Sequence, residues 1–150
     1  MRFSVVIPTY NRAAELRETI TRLATLPVRD PREVLVVDNN SSDETRNVVL
    51  EAAPHFPVPL HYLFEVEQGR SAALNAGIRQ RRGQLIVTTD DDVRVQPDWL
   101  EHCGAALDTL HCDYVGGKVL PLWGAPRPAW IPDHGGKQWA VIALLDYGPD

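Results

Sequence analysis

Four short apolar runs, each closing on polar residues, limit what this chain can fold into more than any other feature. They are Phe3-Ser4-Val5-Val6-Ile7, Glu33-Val34-Leu35-Val36-Val37, Leu60-His61-Tyr62-Leu63-Phe64 and Leu85-Ile86-Val87-Thr88. The first, apolar throughout, predicts a strand buried on both faces, as in a parallel sheet, and the fourth also reads as a buried strand. Pro8 is read as the end of the first strand. Between the runs, apolar residues recur at helical spacing. Leu16, Ile20, Leu23 and Ala24 predict a helix from about Ala13 to Leu26. A second helix is expected from about Glu44 to Ala53, capped by Ser42 or Asp43. A third runs from a Ser71 cap to about Arg81, with Gly83 as its stop, and a fourth from about Pro97 to Leu110. A fifth strand is expected over Asp113 to Leu120, around Gly116-Gly117, then a Pro- and Trp-rich loop over 121–136. Residues 138–145 read as a last strand or a short helix. This alternation with short connections predicts an α/β fold, a mostly parallel sheet flanked by helices and joined by right-handed crossovers.

Composition narrows the function. The net charge of −5 gives no support to a nucleic-acid binder that relies on bulk positive charge. Cys103 and Cys112 make neither a disulfide framework nor a zinc site, and two reduced thiols suit a cytoplasmic protein. No apolar run approaches the length of a membrane span. Met1-Arg2-Phe3-Ser4 leads directly into the first strand, so no signal peptide is expected.

The polar residues collect at the carboxyl ends of the predicted strands. Thr9, Tyr10, Asn11 and Arg12 follow the first, Asp38 the second, Gly69 and Arg70 the third, and Asp90-Asp91-Asp92 the fourth. In a parallel sheet these ends share one edge, where ligands bind in open α/β folds. On an extended chain, Asp90 and Asp92 face one side and Asp91 the other. Paired carboxylates suit Mg²⁺ or Mn²⁺, with water and substrate phosphate completing the shell. An aromatic, an acid, cations and a metal pair in one cleft suit a nucleoside diphosphate. Each element also has a plainer reading: an Asx-turn for Asp38, a core position for Tyr10, solvated charge for Arg12 and Arg70, a left-handed turn for Gly69, and helix packing for Gly77.

Four segments together resemble the family-2 glycosyltransferases, which have the GT-A fold: SVVIPTYNR at 4–12, VVDNNSSDET at 36–45, QGRSAALNAGI at 68–78 and TTDDDVRVQPDWL at 88–100. Gly116-Gly117 resembles the family's glycine pair on a following strand. The family's acidic-Gly-Ser turn stands here as Asp38-Asn39-Asn40-Ser41, a mild departure. The resemblance spans about residues 1–120 and implies a donor-binding core there. Residues 121–150 would begin an incomplete acceptor-side region.

The resemblance implies the following roles. Pro8, Thr9 and Tyr10 line the nucleotide pocket, with Asn40 on its border. Asp38 accepts from the base edge, uracil first among candidates. Arg12, Gly69 and Arg70 border the base or phosphates. Asp90 approaches ribose or metal, Asp92 is the main ligand of Mn²⁺ or Mg²⁺, and Asp91 lies adjacent. The implied reaction passes a hexosyl group from a nucleotide-sugar to a carbohydrate or lipid-linked acceptor, with inversion. The implied place is the cytoplasm or the inner face of a membrane. The family's general base is expected beyond Asp150. Asp133, beside His134, is the one later acid with a suggestive neighbour, while Asp146 and Asp150 lack family-like context. A non-catalytic nucleotide-sugar-binding module, or an inactive fragment, is the alternative.

Three other α/β classes fit less well. A nucleotidyltransferase usually has a Gly-rich basic loop where Pro8-Thr9-Tyr10-Asn11-Arg12 stand. A dinucleotide-binding oxidoreductase would need G-x-G-x-x-G there. A receiver domain would place its acids after the first strand rather than the fourth. Trp123 and Trp130, among Pro126, Pro128 and Pro132, are expected to bury against the sheet or an absent region. Their second reading is a flat wall for a sugar ring. An uncovered patch of this kind would favour a homodimer.

Overall fold

The computed structural model describes residues 1–132. It comprises two compact units, Met1–Gly104 and the chain from Ala105 onward. The first unit holds a four-stranded parallel sheet in the order β3-β2-β1-β4. The strands are β1 (Phe3–Thr9), β2 (Arg32–Asp38), β3 (Leu60–Phe64) and β4 (Leu85–Thr88). The helices are α1 (Ala13–Ala24), α2 (Thr45–Ala52), α3 (Arg70–Gln80) and α4 (Trp99–Leu110), with a 3₁₀ turn at Ala53–His55.

Both central strands are buried at every position, as the apolar run of β1 predicts for that strand. One face of the sheet carries Phe3, Val5, Ile7, Val34 and Val36 into the main core, with Leu16, Ile20 and Leu23 of α1 and Val48 and Val49 of α2. The other face packs Val6, Leu35 and Val37 against Ala73 of α3. Gly77 lets that helix approach closely: a Cβ there would lie 2.5 Å from Val6 Cγ1 and 3.1 Å from Val37 Cγ2.

Pro8 does not end β1. The strand continues through Pro8 and Thr9, paired with Val37 and Asp38. The carbonyls of Arg2 and Val6 accept from Leu85 and Thr89, so even-numbered residues of β1 turn their backbone groups toward β4. The pairing with β4 stops at Val6↔Thr88. The nitrogen of Pro8 therefore faces a side with no strand, where proline costs no ladder bond.

Three further expectations are corrected. β4 is not a buried strand: it lies at the sheet edge among the described residues, with Ile86 exposed. Ser71 does not cap α3; Gly69 does, at φ +137°, and Ser71 sits in the first turn. No strand forms over 113–120 among the described residues. That stretch contains a single bridge, at Val119, and Tyr114 is strongly exposed. An extended segment becomes a strand only when a neighbour pairs its backbone along its length. Within the second unit Trp123 and Trp130 are exposed. The segment over 138–145, with Asp133, His134, Asp146 and Asp150, lies outside the described residues.

A buried polar knot sets where β4 enters. Glu33 is almost fully buried, and its Oε1 accepts from the Ser4 hydroxyl at 2.6 Å and the Arg82 N–H at 2.6 Å. Ser4 Oγ in turn accepts from the Gly83 N–H at 2.8 Å. Burial opposes the charge of Glu33, but these hydrogen bonds, with His61 and Arg82 nearby, outweigh it and hold the carboxyl below its ordinary range. The knot ties residues 82–83 to β1 and β2. It thereby fixes the register Phe3↔Leu85 and the point where the acidic triplet leaves the sheet.

Candidate functional site

All four strands run the same way, so Thr9, Asp38, Phe64 and Thr88 lie at one edge of the sheet. Two loops there are knotted together by Asn39. Its N–H donates to the Thr9 carbonyl at 2.9 Å, and its side-chain amide donates to the carbonyls of Glu67 at 2.6 Å and Glu65 at 3.3 Å. Its Oδ1 accepts from the Gly69 N–H at 2.7 Å. A buried asparagine with donors and acceptors all paired rigidifies what it touches. It holds the start of α3 beside the end of β2.

Asn11 (φ +51°) and Asn40 (φ +67°) sit in left-handed conformations. Both are residues that tolerate this region. They turn the chain after β1 and after β2. The two turns are joined: the Asn11 N–H donates to Ser41 Oγ at 2.9 Å, and Asn11 Oδ1 accepts from the Ser42 N–H at 2.7 Å. Asp43 ties the helices that follow. Its carboxylate accepts from the Ala13 N–H at 3.0 Å and from the Thr45 N–H at 3.1 Å. Of the two expected caps for α2, Asp43 is the one that bonds its first turn, although Glu44 occupies the cap position.

Asp38 closes β2 almost wholly buried. Its Oδ1 accepts from the Ser41 N–H at 2.8 Å, three residues on rather than the two of the Asx-turn read from sequence. Its Oδ2 accepts from the Tyr62 hydroxyl at 2.7 Å. Tyr10 is half exposed at the same edge, so it is not a core aromatic. Pro8 and Thr9 are buried beneath it, and Asn40, Gly69 and Arg70 are exposed. A Cβ on Gly69 would meet nothing within 4 Å, so glycine is there for its backbone angle rather than for space.

The acidic triplet is not extended: it turns at Asp91-Asp92. Asp91 points inward and is 4% exposed. It accepts from the Thr9 hydroxyl at 2.7 Å, and its backbone carbonyl accepts from the Thr19 hydroxyl at 2.7 Å. Burial pushes the Asp91 carboxyl up, against the Thr9 hydroxyl and Arg12 that favour its charge. Asp90 and Asp92 stay half exposed, at 49% and 45% of the side chain, and each faces an arginine. Arg70 Nη2 lies 2.7 Å from Asp90. Arg12 spans two acids, with Nη2 2.9 Å from Asp92 and Nη1 3.3 Å from Asp91. So Arg12 and Arg70 are not solvated bystanders; they pair with the carboxylates at the edge.

This donor set fits a hard divalent cation. Mg²⁺ and Mn²⁺ take one or two carboxylate oxygens and leave the other positions to water and phosphate. Asp90 and Asp92 carry half-exposed carboxylate oxygens of this kind, and no group of three or more His, Cys, Asp or Glu is placed to hold a metal ion among the described residues.

A family model described as "Glycosyl transferase family 2" matches residues 4–133. The chain belongs to glycosyl transferase family 2. Among its relatives in this family, the glycosyltransferase AglE of Haloferax volcanii is 35% identical over 119 residues, 77% of this chain and 38% of AglE. A mannosyltransferase from Pyrobaculum calidifontis, solved with GDP-Man and Mn²⁺, is 34% identical with a TM-score of 0.64, over 71% of this chain and 32% of that one. Residues 1–349 of TarS from Staphylococcus aureus, solved with UDP, are 27% identical with a TM-score of 0.66, over 81% and 38%. The chain thus spans less than half the length of these family-2 relatives. The parallel sheet with its flanking helices is the GT-A fold expected from the resemblance. Among the described residues no helix is long and apolar enough to cross a membrane.

The sequence pattern marks the acids and glycines of this family-2 chain, but not Tyr62 or Asn39. Tyr62 reads only as one residue of a strand. Asn39 reads as turn chemistry, although its side chain joins two loops. The signal for Asn39 is its place directly after β2, where a buried amide can serve several backbone groups at once.

Proposed function

We propose that this chain is the donor-binding part of a metal-dependent glycosyltransferase. It would take a sugar, of hexosyl type, from a nucleoside diphosphate and pass it with inversion to an acceptor hydroxyl of a carbohydrate or lipid-linked molecule. The observation that carries this reading is the pair of exposed aspartates, Asp90 and Asp92, each held by an arginine at the edge where β1, β2 and β4 end.

In this reading Asp92, with Asp90, holds Mn²⁺ or Mg²⁺. The cation supplies Lewis-acid stabilisation of the departing diphosphate. Arg12 and Arg70 hold the two carboxylates in place and stand ready to turn toward phosphate oxygens when a cation engages those acids. Asp91 is buried, so its part is to anchor the turn through Thr9 and Thr19, rather than to touch the donor. Tyr10 offers its exposed ring to the base, Pro8 and Thr9 form the floor, and Asn40 and Gly69 border the pocket. Asp38 accepts from the base. None of residues 1–132 is assigned the role of general base.

UDP is the first candidate nucleotide. UDP and GDP-Man, bound in two of the solved relatives, each carry a base with a ring N–H, a donor that a carboxylate can accept. A calorimetric panel in Mn²⁺ tests this. UDP and GDP are expected to bind at least about tenfold more tightly than CDP and ADP, whose rings present a lone pair at that place. Equal affinity for all four would remove Asp38 from base reading.

A further inference from the structure

We propose that Tyr62 is a positioning residue that presents the Asp38 carboxylate to the base and sets the preference for a ring N–H. The inference rests on the assignment of Asp38 to the base. Tyr62 pairs with Val36, and Phe64 pairs with Asp38, in the register of β2 and β3. Positions two apart on a strand share a face, so Tyr62 and Asp38 stand on the same side of the sheet. The Tyr62 hydroxyl reaches Asp38 Oδ2 at 2.7 Å, while the Ser41 N–H holds Oδ1 at 2.8 Å.

These two donors do more than satisfy a buried acid. One on each oxygen fixes the plane of the carboxylate. An ionised carboxylate is acceptor-only and keeps further lone pairs, so each oxygen can still accept from a ligand. A ring N–H is welcome there, and a ring nitrogen with a lone pair is repelled. UDP and CDP differ in this way: N3 of uracil carries hydrogen, and N3 of cytosine does not.

Tyr62 is itself held firmly. Its ring packs on the main core, and the Arg46 guanidinium lies 6.0 Å from the ring centroid. Burial, with the adjacent Asp38, pushes its hydroxyl up to about 12, so it remains a donor across the working pH range. The pair borders a cavity of about 500 Å³, also lined by Ser41, Ser42, Arg46 and Phe64. Asp38 contributes to this lining with only 3% of its surface open.

The test compares the native chain with Tyr62→Phe, which keeps the ring and removes only the donor. Each is titrated with UDP and with CDP in Mn²⁺, and each is melted. For Tyr62→Phe, UDP is expected to weaken about tenfold and CDP to stay unchanged, so the preference for UDP shrinks about tenfold. Equal weakening of both nucleotides, or no change in either, overturns the inference and leaves Tyr62 a packing residue. Asp38→Asn, run alongside, separates the two levels. If Asp38→Asn keeps the native UDP affinity, the assignment of Asp38 fails and the inference falls with it. If Asp38→Asn loses UDP while Tyr62→Phe keeps the native preference, only the role of Tyr62 fails.

Discussion

Asp92→Ala is expected to weaken UDP binding in Mn²⁺ by about 100-fold or more, since loss of groups that merely support a metal ligand already costs about 10–100-fold. The fold should hardly notice. Asp92 is half exposed, and its partner Arg12 keeps Asp91 at 3.3 Å. An exposed ion pair contributes about 1 kcal/mol at most, so the melting temperature is expected to move by a few degrees. The two readouts together decide the role. Lost affinity with an intact melt places Asp92 on the metal. Retained affinity assigns it to pairing with Arg12 alone.

The second large effect is on folding. Gly83→Ala is expected to cost about 3 kcal/mol or more, at the upper end of what overpacking does. A Cβ there would lie 2.5 Å from the Phe3 carbonyl carbon and 2.5 Å from the Ser4 nitrogen. These are backbone atoms of a central strand, so neither can rotate away. The Gly83 N–H also donates to Ser4 Oγ inside the knot around Glu33. Displacing residue 83 therefore disturbs the register of β4 and the exit of the triplet. Gly116→Ala is the control: a Cβ there meets nothing within 4 Å, and a change within about 0.5 kcal/mol is expected. Urea unfolding of both variants measures the difference. A cost under about 1 kcal/mol for Gly83→Ala would mean that the strand yields more easily than this packing implies.

The sheet is legible in the sequence because its strands are apolar in runs too short for helices and its helices are apolar at a different period. The limits are equally physical. Pro8 looks like a strand end because proline lacks a donor. Whether that donor is missed depends on whether a strand lies on its side, which only the β1–β4 register reveals. Leu85 to Val87 looks fully buried because apolar content does not tell an edge strand from a central one. Ser71 looks like a cap by residue type, yet the conformation at Gly69 decides where α3 starts.

At the site, residue type and strand-end position are enough to single out Asp38 and the acidic triplet. They do not reveal how the triplet is arranged. Asp91 is hydrogen-bonded by Thr9 and Thr19, far away in the chain, and the arginines that face Asp90 and Asp92 come from the first turn of α3 and from the cap of α1. Tyr62 escapes notice for the same reason: its hydroxyl matters through a contact across two strands.

Calorimetric titration of the chain with UDP, first in Mn²⁺ and then in EDTA, asks whether a metal at Asp90 and Asp92 holds the nucleotide. Saturable binding at one site is expected with metal, with at least a tenfold loss once the metal is chelated. UDP binding of equal strength in both conditions would contradict a metal-held diphosphate at Asp90 and Asp92. No binding of UDP in either condition would contradict the assignment of this edge of the sheet to a uridine nucleotide.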